Sequence, residues 1–147
     1  MRVVLDTNVL VSALITKRKP AKLVHNLLGK RIELVISKPI LSEFIDVIAR
    51  PKFRQYADER TVEDFLKLLL GVSAVTDVKS KFNVTPDRGD NTVLATAYDA
   101  KAHYIVSGDK HLLKLKEFRG IKIVTVNGML RILKSDDADP KISAHNS

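Results

Sequence analysis

Short apolar runs that stop abruptly at polar residues alternate along this chain with longer stretches of helical periodicity, and no hairpin signal separates them. The runs are Arg2 to Leu5, Ile32 to Ile36, Val72 to Val78, Tyr104 to Ser107 and Ile121 to Val126. Between them the spacing predicts helices over Asn8 to Thr16, over Ala21 to Leu28 between Pro20 and Gly29, and from Pro39 to Ile48 with Pro51 as a stop. Further helices are expected after a cap formed by Thr61 and Asp64, over Asn91 to Ala102, over Lys110 to Phe118, and for a short turn at Met129 to Leu133. Lys79 to Gly89, polar and carrying Pro86 and Gly89, reads as a loop. Such alternation constrains the fold strongly. Parallel strands need crossovers long enough to hold a helix, so the pattern predicts an α/β domain with a parallel sheet covered on both faces.

In sheets of this kind ligands bind beyond the carboxyl ends of the strands, where strand order reverses. Two runs deliver an acid to that edge. "VVLDTN" ends the first strand on Asp6, and "HYIVSGDKHLL" leads through Ser107 and Gly108 to Asp109. Taken singly, each Asp could serve only as a helix cap. Asp90 is less easily explained in that way. At about 100° per residue its direction coincides with the centre of the arc spanned by Val93, Leu94, Ala97 and Ala100, so it points inward. Glu43 lies about 40° beyond Val47, at the border of the buried face of its helix.

If these four acids converge, they repel one another strongly. Two carboxylates about 5 Å apart repel by roughly 3 kcal/mol at an effective dielectric near 20. Protons or a divalent cation relieve that conflict, and the chain has no cysteine, so a metal would be held by oxygen or imidazole. Mg²⁺ or Mn²⁺ suits such a donor set. The chain also carries a formal charge of +8, a field that attracts polyanions. Acids within a basic field point to a phosphodiester substrate.

The segments "VVLDTNVLVSAL", "KPILSEF", "DRGDNTVLATA" and "HYIVSGDKHLL" resemble, in order and spacing, the motifs of the PIN domain family, in particular bacterial and archaeal PIN-type toxins of toxin-antitoxin systems. The resemblance covers residues 1 to 133. It implies a three-layer α/β/α fold around a five-stranded parallel sheet and a metal-dependent endoribonuclease that leaves a 5′ phosphate and a 3′ hydroxyl. The family's acidic quartet falls on Asp6, Glu43, Asp90 and Asp109. Asp6, Asp90 and Asp109 are expected to hold Mg²⁺ or Mn²⁺, with Glu43 binding a second cation or positioning the attacking water. Asn8 and Ser107 match the family's supporting polar positions. Where relatives often carry another acid, two residues after the last Asp, this chain has His111, which either contacts the site or is simply solvated. A small antitoxin protein and a homodimer are the partners implied beside RNA.

Asn8 and Ser12 share one side of an otherwise apolar helix. Asn8 is expected to orient Asp6, whereas Ser12 either faces the acids or bonds back to a helix carbonyl. Asp87 is read as a turn residue. Lys17, Arg18, Lys19 and Lys110 are candidates for contact with the RNA strand. His25, His103 and His145 show no metal-like spacing. We read one PIN domain over residues 1–134 and a disordered tail over 135–147, in a soluble cytoplasmic chain without a signal peptide or an apolar run of membrane-spanning length. Two rival functions share these residues. One is a PIN-fold module that binds RNA or protein with little catalysis, and the other is a phosphoryl-transfer domain using Asp6 as nucleophile.

Overall fold

A computed structural model describes residues 1–16, 19–28 and 32–138. Its strands are β1 (Arg2–Leu5), β2 (Glu33–Ser37), β3 (Ser73–Thr76), β4 (Tyr104–Val106), β5 (Glu117–Phe118) and β6 (Ile121–Val124). The helices are α1 (Thr7–Ile15), α2 (Lys19–Leu28), α3 (Lys38–Ile48), α4 (Glu59–Val72), α5 (Arg88–Asp99), α6 (Lys110–Leu115) and α7 (Val126–Ala138). The sheet has the order β3-β2-β1-β4-β6-β5, and every pairing is parallel except β5 with β6. From β1 the chain works outward to β3 and then returns past β1 to β4 and β6. Among the helices, α1 packs against α2 and α3, α2 against α7, and α3 against α5.

The middle strands are apolar on both sides, as burial under two layers requires. Val3, Val4, Ile105 and Val106 are fully buried, and Leu5 nearly so. Helix α5 lies across β1, β2 and β4, and Phe44 of α3 is the largest fully buried side chain. In register, Val4 faces Ile105 and Leu5 faces Val106, so β1 and β4 end side by side. Strand order reverses between these two. The site is expected at that point.

Three expectations are corrected. The sheet has six strands rather than five, because Lys110 to Phe118 is not one helix: α6 stops at Leu115, Lys116 turns at φ 62°, and Glu117–Phe118 pair back on β6 through a turn at Arg119 and Gly120. Helix α4 begins at Glu59 with Asp58 as its cap, accepting from the Thr61 amide at 2.8 Å, so Thr61 is a recipient of the cap. The last helix runs from Val126 to Ala138, longer at both ends than the turn expected at Met129 to Leu133. Of the supposed tail, residues 139–147 lie outside the described residues. No helix among the described residues is long and apolar enough to cross a membrane.

Candidate active site

Asp6 follows β1 directly, and its amide still donates to Val106 O at 2.9 Å, so the backbone is fixed by the sheet up to the acid itself. Its side chain is buried and caps nothing, although it stands at the start of α1. Instead, the Ser107 hydroxyl donates to Asp6 Oδ2 at 2.7 Å and accepts from the Asp109 amide at 2.9 Å. Ser107 thus joins the ends of β1 and β4. Asp109 turns one oxygen, Oδ1, back to the first turn of α6, accepting from the amides of His111 at 2.7 Å and Leu112 at 3.4 Å. The cap reading holds for Asp109.

Asp90 occupies the first turn of α5, capped by Asp87, whose Oδ1 accepts from the Asp90 amide at 3.2 Å. The inward direction expected for Asp90 is observed: it is 4% exposed, and its Oδ2 is buried without a hydrogen-bond partner. A buried carboxylate oxygen without a partner is costly, so the neutral acid is favoured. Burial pushes the Asp90 carboxyl up to about 7, and the negative charges of Asp109, Asp87 and Asp6 act in the same direction. Burial also raises Asp6. The Ser107 hydrogen bond opposes that rise, and the charges of Asp109 and Glu43 add to it. Asp6, Glu43, Asp90 and Asp109 therefore share one electrostatic neighbourhood, although they come from four different parts of the chain.

Glu43 is placed by two features that its local sequence does not signal. Thr7, almost fully buried, donates through Oγ1 to Glu43 Oε2 at 3.3 Å. Gly89 gives the carboxylate room, since a Cβ there would lie 3.0 Å from Glu43 Oε1 and 3.1 Å from both Glu43 Oε2 and Asp87 Oδ1. A second buried pair fixes the helices that carry Glu43 and Asp90. Ser37 Oγ and Thr96 Oγ1 are 2.8 Å apart, and Thr96 already donates to Thr92 O, so Ser37 supplies the proton between them. The only signal for Thr7 was its place beside Asp6; nothing local points to Glu43, 36 positions away.

The remaining assignments divide. Asn8 is exposed and makes no hydrogen bond among the described residues, so Ser107 holds Asp6 where Asn8 was expected to. Ser12 contributes only its carbonyl, which accepts from the Thr16 amide and hydroxyl. Lys110 and His111 are at the start of α6, both exposed, and His103 Nδ1 accepts from the Arg2 amide at 2.9 Å, a structural use. Lys17 and Arg18 lie outside the described residues, and Lys19 opens α2. Among the described residues no three acids or histidines are gathered closely enough to hold a metal unaided. Even so, the donor set fits a hard divalent cation: only oxygens, mutual repulsion, and one buried oxygen with no partner.

The fold is similar to that of VapBC2 from Rickettsia felis bound to a DNA fragment from their promoter, with a TM-score of 0.59 and 17% identity over 85% of this chain and 98% of that one. It is also similar to FitAcB from Neisseria gonorrhoeae, with a TM-score of 0.53 and 16% identity over 84% of this chain and 97% of the other. An uncharacterised protein of Methanocaldococcus jannaschii is 34% identical over 119 residues, covering 80% of this chain and 76% of the relative. The PIN domain profile matches residues 2–111, a stretch that runs from β1 through all four acids into α6. On that match and that identity, the chain belongs to the PIN domain family.

Proposed function

We propose that this protein is a Mg²⁺ or Mn²⁺ dependent endoribonuclease and the toxin component of a toxin-antitoxin pair. The observation that carries the nuclease reading is Asp90, a buried carboxyl with an unpartnered oxygen among the charges of Asp6, Asp87 and Asp109 at the switch point of the sheet. Asp6, Asp90 and Asp109 would hold the cation, with Glu43 beside them. When bound, it supplies Lewis acidity to a phosphoryl oxygen and relieves the repulsion among the acids.

The chain's own residues do the rest. Ser107 holds Asp6 and Asp109 in one arrangement by donating to the first and accepting from the amide of the second. Thr7 holds Glu43, leaving a carboxylate oxygen to orient a water and accept its proton. Without a cation, Asp90 keeps a proton up to about neutral pH. The net charge of +8 draws an RNA backbone towards the protein. The toxin assignment is supported by the motifs shared with PIN-type toxins and by the similarity of fold to VapBC2 and FitAcB.

Incubating the purified chain with a mixed RNA pool, with Mn²⁺ or with chelator, tests the reading. Fragments bearing 5′ phosphates should appear only with metal, and Asp6→Asn should yield none while still binding RNA. Equal cleavage by that variant would refute the assignment. That no three of the described acids or histidines are gathered as a metal site favours a second reading, an RNA-binding module of little catalytic power. RNA binding without metal-dependent fragments would select it.

A further inference from the structure

We propose that Phe82, Tyr98, Phe118 and Arg119 form a second contact for single-stranded RNA, holding the strand at a distance from the carboxylates. The idea rests on the RNA reading given above. The ring of Phe82 meets Tyr98 edge-on at 5.3 Å and Phe118 edge-on at 4.9 Å. Over this cluster lies Arg119, its guanidinium carbon 4.9 Å from the centre of Phe82, 5.3 Å from Tyr98 and 5.6 Å from Phe118. Tyr98 is 41% exposed, and Arg119 is exposed too, with its guanidinium lying over the rings.

The backbone at Arg119 strengthens the case. Arg119 and Gly120 both have positive φ, 50° and 85°, in the turn between β5 and β6. A turn with two such residues favours Asn-Gly, so the local geometry by itself does not call for Arg. What Arg adds is a planar cation lying on aromatic rings, able to meet a ligand as well. Lys79, Lys81, Lys101, Lys116 and Lys122 surround this surface in sequence and register. The nearest acid on α5, Asp99, is already occupied by the amides of Lys79 and Ser80 and by the Ser80 hydroxyl. Glu117 is the other acid nearby, opposite Lys122.

Cations interleaved with half-buried Phe82 and Phe118 and exposed Tyr98 fit unpaired nucleotides, which offer phosphate to the cations and a base face to the rings. A duplex keeps its bases stacked, and an acidic peptide offers nothing to the rings. Distance permits both contacts at once. Tyr98 stands eight residues beyond Asp90 on α5, about 12 Å along the helix axis, which a strand of a few nucleotides spans.

The test uses the full chain with chelator, so that RNA binds without being cut. Anisotropy is read on labelled oligouridines of about 4 and about 16 nucleotides, a range that brackets single-strand site sizes. Arg119→Asn suits the turn, so the fold is kept. Affinity for the longer probe should fall about ten-fold, that for the shorter one should change little, and the salt slope should drop by about one. Arg119→Lys, which keeps the charge and loses the plane, should also weaken the longer probe. Unchanged affinity for the longer probe overturns the proposal, whether or not the melting temperature falls, as does equal competition by polyglutamate and oligouridine. Metal-dependent cleavage by the wild-type chain is scored separately. Cleavage with unaltered binding by Arg119→Asn sinks only this second contact, and weakened binding without wild-type cleavage sinks only the nuclease reading.

Discussion

Replacing Asp90 by Asn should make the metal-free protein more stable, and more so as pH rises. An unfolded chain releases the proton of Asp90 near the ordinary value of 3.8, whereas the folded site releases it only at about 7. Well below pH 4 both states are protonated and the acid costs nothing. As pH rises from 4 to 7 the unfolded state gives up a proton that the folded state retains, so stability falls, and above about 7 the penalty is complete. A rise of about 3 in pKa corresponds to on the order of 4 kcal/mol. The amide of Asn is close in size, carries no charge, and offers a donor where Oδ2 now lacks any partner. In chelator at pH 8, Asp90→Asn should therefore unfold on the order of 10 °C above the wild type, while near pH 3 the two should nearly coincide. Thermal or urea denaturation at both values measures it. Mn²⁺ should then raise the wild type selectively at pH 8. If Asn destabilises the chain at pH 8, or if the gap between the two proteins fails to grow with pH, the electrostatic account of this site is wrong.

Gly89→Ala should leave stability within about 1 kcal/mol, because a helical Gly-to-Ala gain opposes a contact that Glu43 can avoid by moving. RNA cleavage should nonetheless fall by about ten-fold as Glu43 shifts away from Thr7, and full activity would remove Glu43 from the mechanism. Ser107→Ala takes away the hydroxyl joining Asp6 to the Asp109 amide; denaturation should show a loss of about 1–3 kcal/mol, and the metal concentration for half-maximal cleavage should rise. Asn91→Ala orphans the amides of Val84 and Thr85 and the carbonyl of Thr85, which should cost roughly 2–3 kcal/mol in urea and loosen the loop before Asp90 to proteases. Asn8→Ala should leave stability within about 0.5 kcal/mol, as expected for an exposed side chain without bonds.

Much of the site is legible in the sequence because its acids sit at element boundaries. Asp6 and Asp109 follow apolar strands, and the helical phase of Asp90 against Val93, Leu94 and Ala97 is enough to predict its burial. Glu43 falls at the edge of an apolar arc, where it is found, half-buried. The bonds that hold these acids are not legible, because their partners are distant in sequence: Thr7 to Glu43 spans 36 positions and Ser107 to Asp6 spans 101. The same distance defeats the expectation for Asn8. Sharing a helix side with Ser12 says nothing about which neighbour turns toward Asp6. The β5–β6 hairpin is hidden by its brevity, since two residues cannot display alternation, and by Lys116 and Arg119, which take positive φ without being Gly or Asn. Asp58 is obscured because the pattern of Thr61 and Asp64 competes with it, and only the hydrogen bond to the Thr61 amide decides.

The two rims of the sheet are unlike. At one, the antiparallel β5 is two residues long and flanked by Lys116 and Arg119, a poor template for a further strand. At the other, β3 pairs on one side only among the described residues, and Val75 is 56% exposed. Lateral growth thus has a single outlet: two copies meeting rim to rim would use up both free edges, giving a closed twofold pair and no route to a fibre.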